Sequence, residues 1–305
     1  MRLYLLKRAV LGAITLLVIV SSVFFLLRMA PGGPFDGERQ LPPEIEANLM
    51  AAYHLDAPLW QQYTRYLGQL AQGDFGPSFR QKDFSVGDLI AAGLPTSLSL
   101  GAAALLLAIC AGMAIGIAAG LKPGSSLDQV LMSLTNINLA IPTIVAAPVL
   151  ILIFAVGLSW LPAGGIIEPG FLILPVLSLA LPYVAAVARL IRGSVAEVQS
   201  MPHVVTARAK GLSRTRIIHR HILPIAAIPL VSFLGPAAAG LLTGSVVVEQ
   251  IFDLPGIGRY FVQGALSRDY TLVMGVVVVY ASAIVVFNLL VDLAYGWLDP
   301  RIRIS

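Results

Sequence analysis

Residues 94–121 read LPTSLSLGAAALLLAICAGMAIGIAAGL, an apolar stretch without a single charged residue. A helix of about 20 residues is long enough to cross the hydrocarbon core of a bilayer. Five further uncharged runs cover residues 9–27, 129–167, 169–188, 222–248 and 270–291. The whole chain is 57% hydrophobic and 12% charged, whereas soluble domains carry about 25% charged residues. The sequence therefore predicts an all-α polytopic membrane protein that is solvated largely by lipid.

These runs predict six transmembrane helices, at residues 1–29, 96–120, 132–157, 171–191, 225–248 and 272–294. The third run is too long for one span, and Pro162 to Gly165 mark a turn near its end. With the N-terminus inside, the inner segments hold Lys122 and seven Lys or Arg residues between positions 189 and 220, whereas the short outer loops hold only Arg259 and Arg268. Because Lys and Arg concentrate in cytoplasmic loops, this distribution favours six spans with both termini in the cytoplasm.

The N-terminal part of the chain combines a first helix with a polar insertion. The first apolar run exceeds the 7–15 residues of a secretory signal and is followed by no small-x-small cleavage site, so we interpret it as a retained helix. The segment from Arg28 to Gly93 carries eight acidic and five basic residues. Long loops are translocated regardless of charge, which allows residues 30–93 to form a periplasmic insertion. Within it the sequence predicts short helices over 45–53 and 59–70, followed by breaks at Gly73, Gly76 and Pro77.

Several function classes are disfavoured by what the sequence lacks. None of the four lysines follows a glycine, as the phosphate-binding Gly-Lys-Ser/Thr loop requires. The six runs contain none of the ionisable groups that an ion-coupled carrier holds within the membrane. Neither a Gly-x-Ser-x-Gly nor a His-Glu-x-x-His pattern points to an intramembrane enzyme. These absences disfavour an ATPase, a secondary carrier and an intramembrane enzyme, so any energy must come from outside the chain, and they predict no catalytic residues.

Metal and nucleic-acid binding are not predicted either. The single cysteine, Cys110, excludes disulfides and cysteine metal clusters. His219 and His221 are two residues apart and do not share a helix face, so we interpret them as interfacial cations. The net charge of +4 comes from basic residues between apolar runs, where membrane topology accounts for them without nucleic acid.

The inner loop at residues 193–223 has the pattern of two short helices. Ser200 is placed to cap a helix with Pro202 in its first turn, and Gly211 to end it in a left-handed conformation. Ser213 is placed to cap the next helix. A short helix below the bilayer with flanking cations is either a docking element for a partner protein or an anchor that contacts lipid head groups. The pattern alone leaves both interpretations open.

This loop resembles the cytoplasmic loop motif of ABC-importer permeases, which reads Glu-Ala-Ala, three residues, Gly, nine residues and Ile-x-Leu-Pro. Matching residues are Ala207, Gly211, Leu223 and Pro224, whereas Val205, Thr206 and His221 depart from the motif. The segment at 206–212, TARAKGL, is similar to the form found in peptide permeases. The resemblance implies that the loop couples the pore to an ATPase through Thr206, Ala207, Arg208, Ala209, Lys210, Gly211, Leu212, Leu223 and Pro224.

Further stretches resemble the B-type permease subunit of oligopeptide importers, within the oligopeptide, dipeptide and nickel family. They are APGGPF at 30–35, GDFGPS at 73–78, EQIFDLPGIG at 249–258, RDY at 268–270 and DP at 299–300, spread in order along the chain. The resemblance implies a type I ABC-importer permease core over 94–298 in the bacterial inner membrane. It also implies a homologous second permease, two cytoplasmic ATPase subunits that hold ATP and Mg, and a periplasmic peptide-binding protein. No cofactor is expected on the chain itself, and the preferred solute within the family stays open.

Polar residues near the fifth span are the candidates for the pore or its gate. Glu249 ends this span and either lines the outer mouth of the pore, is an ordinary interfacial acid, or holds the following Leu254-Pro255-Gly256 turn by hydrogen bonds. Thr243 and Ser245 lie within the span and either face the path or bond to neighbouring helices. In the second span, the spacing of Gly112, Gly116 and Gly120 predicts close helix contact.

Overall fold

The structure is a computed structural model that describes residues 2–30, 53–81, 83–168 and 170–298, together with the isolated residues 33, 42, 48, 50 and 51. Every extended regular element in this part of the chain is a helix. The helices are α1 Arg2–Met29, α2 Leu59–Ala71, α3 Val86–Gly120, α4 Ser126–Ala140, α5 Thr143–Leu150, α6 Ile173–Val198, α7 Pro202–Ala209, α8 Arg214–Ile217, α9 Leu223–Ala226, α10 Ile228–Ile251, α11 Ile257–Ser267 and α12 Tyr270–Leu298. The predicted helix over 45–53 and the stretches at 30–35 and 299–300 lie largely outside the described residues.

Five of these helices are long and apolar enough to cross a membrane. They cover Leu6–Met29, Val86–Gly120, Ile173–Val198, Ile228–Ile251 and Tyr270–Leu293. The pair Ser126–Ala140 and Thr143–Gly157 raises the number to six if it forms one broken span. The described chain thus contains five or six candidate spans.

The third predicted span is not the continuous helix that the sequence predicts over 132–157. α4 and the helical stretch Thr143–Gly157 meet at an angle of 103°. Pro142 stands at the break and disfavours helical backbone at the residue before it. Ile141 accordingly adopts φ −90° and ψ 115°, an extended conformation. Beyond α5, the chain continues through a π-helical turn over Ile151–Gly157.

Two other helices are longer than predicted. α3 begins at Val86, ten residues before the predicted start of the second span, because Ser85 and Asp88 form a capping box. The Ser85 hydroxyl accepts a hydrogen bond from the Asp88 N–H, and the Asp88 carboxylate accepts one from the Ser85 N–H, both at 3.1 Å. α6 continues to Val198, so the first residues of the 193–223 loop are helical.

α3 packs closely against α6 along the glycine repeat, as the spacing predicts. A Cβ atom at Gly112 would lie 2.6 Å from the Val187 Cβ, and one at Gly116 would lie 2.6 Å from the Ala188 carbonyl oxygen. At Gly120 the nearest atom is the Arg192 carbonyl oxygen at 2.8 Å. The absence of side chains at these positions therefore brings the two backbones into contact.

A bidentate ion pair joins α4 to the same end of α6. Arg192 Nε donates to Asp128 Oδ1 at 3.0 Å, and Arg192 Nη2 donates to Asp128 Oδ2 at 2.6 Å. Asp128 also accepts the Gly124 N–H at 2.8 Å and is almost fully buried. The paired, planar geometry fixes the position of α4 relative to α6.

α2 packs against α1 and α12. Phe24 of α1 and Tyr66 of α2 pack with Met274 and Val278 of α12 in one apolar cluster. The Tyr63 hydroxyl lies 2.6 Å from the Ser21 hydroxyl, which adds a polar contact between α2 and α1. α2 begins and ends within one residue of the prediction, and Gly73 and Gly76 break the chain with φ of +78° and +82°.

Candidate functional site

The predicted coupling segment contains three short helices attached to α6 by an apolar face. Val204 and Ala207 of α7 are buried in a cluster with Val198 of α6, Ile217 of α8 and Ile222. The two buried residues of α7 are three positions apart, the spacing that places side chains on one side of a helix. α7 is therefore held along one side only.

The other side of α7 and the following turn are exposed. Among the residues implied in coupling, Thr206, Arg208, Ala209, Lys210, Gly211 and Pro224 are exposed, Leu212 and Leu223 are half-buried, and Ala207 is buried. Arg214 and Arg216 of α8 are exposed as well. The segment thus presents a helix with flanking cations on a free surface of the described chain.

Gly211 ends α7 as predicted, in the left-handed conformation with φ +73°. Its N–H donates to the Arg208 carbonyl at 3.0 Å, and the Leu212 N–H donates to the Ala207 carbonyl at 3.3 Å. This pair of bonds is the Schellman motif, which satisfies the last carbonyls of a helix. A Cβ at Gly211 would meet no atom within 4 Å, so the requirement for glycine comes from the backbone alone.

The predicted N-terminal caps are only partly correct. α7 begins one residue later than the Ser200 cap requires, with Met201 as the N-cap and Pro202 in the first turn. The Ser200 hydroxyl instead donates to the Glu197 carbonyl at 2.7 Å, near the end of α6. Ser213 does stand at the N-cap of α8, but its side chain makes no capping hydrogen bond. Pro202 accounts for the difference, since proline favours the first position of a helix.

A cleft of about 430 Å³ lies beside α7 and α8. Its polar lining includes Lys122, Arg208 and Arg214, together with Gln199, whose amide donates to the Gly120 carbonyl at 2.9 Å. Its apolar lining comes from α8 and neighbouring residues, including Leu212 and Ile218. No acidic residue of the described chain lines this cleft, which therefore suits an acidic surface of a partner.

Glu249 is fully buried near the end of α10, at the start of the turn that leads to α11. Its Oε2 accepts the Gly258 N–H at 2.8 Å, in the first turn of α11. The Ile257 N–H donates to the Ser97 hydroxyl of α3 at 2.9 Å. Two orphan donors of α11 are thus satisfied by side chains of α10 and α3, and a carboxylate at a helix N-terminus is electrostatically favourable. The geometry supports the turn-holding interpretation of Glu249.

The other two pore candidates lie in different surroundings. Ser245 is fully buried, and its hydroxyl donates to the Leu242 carbonyl of its own helix at 2.7 Å. Thr243 is exposed, and its hydroxyl bonds to the Ala239 carbonyl at 3.1 Å. Only Thr243 presents a surface that a translocation path could use in this conformation, and its role in the pore stays a prediction.

A buried carboxylate that the sequence analysis does not single out joins two of the quoted stretches. Asp269 is fully buried, and its Oδ2 accepts the Ser78 hydroxyl at 2.5 Å and the Arg80 N–H at 3.3 Å. Its Oδ1 accepts the Thr271 hydroxyl at 2.9 Å and the Leu272 N–H at 3.2 Å. The RDY stretch therefore caps α12 and holds the GDFGPS stretch, a link that no local sequence pattern reveals because the partners are about 190 residues apart.

Comparison with known proteins gives matches along nearly the whole chain. A model of the family described as "Binding-protein-dependent transport system inner membrane component" matches residues 112–304. The oligopeptide transport system permease protein OppB of Salmonella typhimurium is 47% identical over 302 residues, covering 98% of this chain and 99% of that protein. OppB of Escherichia coli K12 is 48% identical with the same coverage. The dipeptide transport system permease protein DppB of Bacillus subtilis is 42% identical, covering 99% of this chain and 98% of that protein.

Solved structures resemble the chain in fold. A crystal structure of an amino acid ABC transporter matches with a TM-score of 0.52 and 21% identity, covering 68% of this chain and 92% of that one. An inward-facing structure of the MetNI methionine ABC transporter matches with a TM-score of 0.58 and 18% identity, covering 69% and 96%. At such identities the likeness concerns the fold alone.

Proposed function

The chain belongs to the family of binding-protein-dependent transport system inner membrane components, and on this premise we propose that it forms half of the translocation pore of an ATP-driven peptide importer. The relatives that match this chain over almost their full length are named oligopeptide and dipeptide permeases. These names support a peptide as the solute. As a member of this family, the chain is a multi-pass protein of the inner membrane. Its role is transport, and the chemistry that drives transport lies on other subunits.

The proposed topology has six spans with both termini in the cytoplasm. It counts α4 and the stretch Thr143–Gly157 as one broken span, beside the five continuous helices. The concentration of Lys and Arg between positions 189 and 220 supports a cytoplasmic location for α7 and α8. Residues 30–93 then lie in the periplasm, and α2 within them packs against α1 and α12.

The proposed assembly pairs this chain with a homologous second permease, two cytoplasmic ATPase subunits and a periplasmic peptide-binding protein. ATP and Mg²⁺ are held by the ATPase subunits, and the chain binds no cofactor of its own. α7 docks on one ATPase, and the closure of the ATPase pair moves α7 together with α6, because both helices contribute to one apolar cluster. The binding protein delivers the peptide to the outer face.

One observation carries the coupling role: Val204 and Ala207 of α7 are buried in the apolar cluster that also contains α6 residues, while Arg208, Lys210 and the turn at Gly211 are exposed. A helix packed in this way transmits a push on its exposed side to the span behind it. The cationic cleft beside it offers a complementary surface for acidic residues of the ATPase.

Reconstitution tests the proposal directly. The tagged chain should co-purify with a second permease and two ATPase subunits, and proteoliposomes of this complex should take up peptide only with ATP and the binding protein. The chain purified alone should neither hydrolyse ATP nor transport. Peptide uptake by the isolated chain would overturn the proposal in favour of a secondary carrier.

The topology has its own test. On a Cys110→Ser background, which removes the single and exposed native thiol, Trp60→Cys should react with an impermeant thiol reagent in spheroplasts. Trp60 is 64% exposed, whereas Tyr66 of the same helix is buried and unsuitable. Lys210→Cys should react only after lysis. The reverse pattern would break the six-span topology.

A further inference from the structure

A cleft of about 250 Å³ lies where α2 meets the end of α1 and residues 75–79. Its polar lining includes Arg28, His54, Gln62, Arg65, Tyr66 and Gln69. No aspartate or glutamate of the described chain lines it. Among the described residues, no carboxylate neutralises the two guanidinium groups of the cleft.

Arg28 is held in a fixed orientation at this cleft. Its Nε donates to Gln62 Oε1 at 2.9 Å, and its guanidinium carbon lies 3.6 Å from the centre of the Phe24 ring. The amide nitrogen of Gln62 donates to the Leu55 and Ala57 carbonyls at 3.0 and 2.8 Å, which fixes the glutamine in turn. A guanidinium group has five N–H donors, and its other contact in the described chain is the long one from Nη1 to Met274 Sδ at 3.8 Å. Donors on the terminal nitrogens thus remain for a ligand.

Tyr66 adds a buried hydroxyl that has no partner. The residue is 6% exposed, and its hydroxyl oxygen has no hydrogen-bond partner among the described residues. A buried polar group without a partner is destabilising, so a ligand that accepts its hydrogen bond gains free energy. Burial raises the pKa of Tyr66 to about 12, with the charge of Arg28 acting in the opposite direction. The hydroxyl is consequently protonated at neutral pH and can act as a donor.

We propose that this cleft binds the terminal carboxylate of a short peptide, with Arg28 and Tyr66 as its direct donors and Arg65 as an additional positive charge. A carboxylate accepts hydrogen bonds from the parallel N–H groups of an arginine and from a hydroxyl, and the described lining of the cleft offers donors and positive charge and contains no acidic residue. Ligand pockets for drug-sized molecules measure about 300–1,000 Å³, so this cleft accommodates one end of a peptide. The choice of a peptide as the carrier of the carboxylate rests on the proposed function.

The probe that tests this inference is tri-alanine, with two modified forms. Binding to the full chain in nanodiscs of phosphatidylcholine, a lipid without net charge, is measured by calorimetry. Tri-alanine amide lacks the terminal carboxylate and should bind about tenfold more weakly or worse, the effect of losing a charge-assisted hydrogen bond. N-acetyl-tri-alanine keeps the carboxylate and should bind like tri-alanine. Acetate should compete for the same site if the carboxylate is the group recognised.

Two variants and a matched control locate the site. Arg28→Gln should abolish the difference between tri-alanine and its amide. Tyr66→Phe removes the unpartnered hydroxyl while keeping the ring in its apolar cluster, and should weaken tri-alanine binding several-fold. Tyr63→Phe removes a hydroxyl of the same helix that bonds to Ser21 and does not line the cleft, so it should leave binding unchanged.

Equal binding of tri-alanine and its amide, or parental binding by Tyr66→Phe, would overturn the inference. If the Arg28→Gln variant fails to insert into the membrane, the Tyr66→Phe variant still decides the test. Binding of acetate to the cleft without any binding of tri-alanine would show a site for small anions instead and would also overturn it. ATP-driven peptide uptake by the complete complex is a separate measurement: if it persists in Tyr66→Phe while the cleft binds no carboxylate, the proposed function stands and the inference fails.

Discussion

The segment of α7 and α8 and the segment at residues 53–81 are attached to the spans in different ways. α7 and α8 are held by apolar side chains on one side, and their charged residues are exposed. The other segment shares an apolar cluster with α1 and α12, and buried polar groups hold it in addition: Asp269 accepts a hydrogen bond from Ser78, and Gln62 accepts one from Arg28. Hydrogen bonds of this kind are directional, whereas apolar contacts tolerate small shifts. The segment at residues 53–81 is thus fixed by directional contacts in addition to apolar ones, whereas the apolar attachment of α7 and α8 fits the role proposed for them in receiving and transmitting a push.

The largest effect is expected for Asp269→Asn. The amide replaces one carboxylate oxygen by a donor, so it can no longer accept the bonds from both Ser78 and Arg80 as well as those from α12. We expect a loss of about 3 kcal/mol in the free energy of unfolding, because several buried donors lose a charged acceptor. Chemical unfolding in mixed detergent micelles measures it.

The control for this prediction is Asp253→Asn, which removes the charge of an exposed carboxylate paired with Arg259. Its stability should match that of the parent, since exposed ion pairs contribute little. If both variants have the same free energy of unfolding as the parent, the Asp269 contacts do not fix the segment at residues 53–81. The contrast between the two regions then disappears.

Glu249→Ala is expected to have the next largest effect, about 2 kcal/mol, because the buried Gly258 N–H loses its acceptor. Glu249→Gln keeps an acceptor oxygen for this N–H and should be milder. Gln250→Ala changes the exposed neighbour and serves as the control. Thermal unfolding of the three variants gives the ranking. Equal damage from Gln and Ala would show that the charge of Glu249, rather than its hydrogen bond, holds the turn.

In the turn after α7, Gly211→Val should impair the proposed coupling of ATP hydrolysis to transport more than it impairs folding. A side chain in the left-handed region costs about 1–2 kcal/mol, and the open space around Gly211 adds no clash. We expect the spans to insert normally while recovery of the ATPase subunits and peptide uptake fall. Gly211→Ala should be milder.

Gly193→Val is the matched control, because Gly193 also has open space around it but lies within α6 with no positive φ. Its complex should form at parental yield. Parental uptake by Gly211→Val at equal membrane levels would identify the loop as a topology anchor only.

The smallest effect is expected for Arg208→Gln and Arg214→Gln. Each removes one charge from the cleft beside α7 and α8, and exposed charges contribute about 1 kcal/mol or less to an interface. ATPase affinity should fall modestly at low ionic strength, and the difference should vanish at high ionic strength because salt screens exposed charges. Arg189→Gln, outside the cleft, should show no such dependence. A salt-independent loss would point to a packing role for these arginines.

The sequence by itself determined the features that depend on neighbouring residues in the chain. The apolar runs give the candidate spans, since a helix in lipid must satisfy its backbone internally and expose apolar side chains. The end of α7 follows from Gly211, because only glycine adopts positive φ without a penalty. The close helix contact along Gly112 and Gly116 follows from their spacing. The spacing does not reveal which helix is the partner.

The tertiary structure alone decided the features that join distant parts of the chain. The bend at Pro142 and the capping box of Ser85 and Asp88 depend on neighbouring residues instead, and the long apolar runs beside them hid both signals. The partners of Asp269, Glu249 and Arg28 come from other helices, so no window of sequence contains them. A buried polar group is satisfied by whichever donor or acceptor packing brings within about 3 Å, and packing is a property of the folded chain.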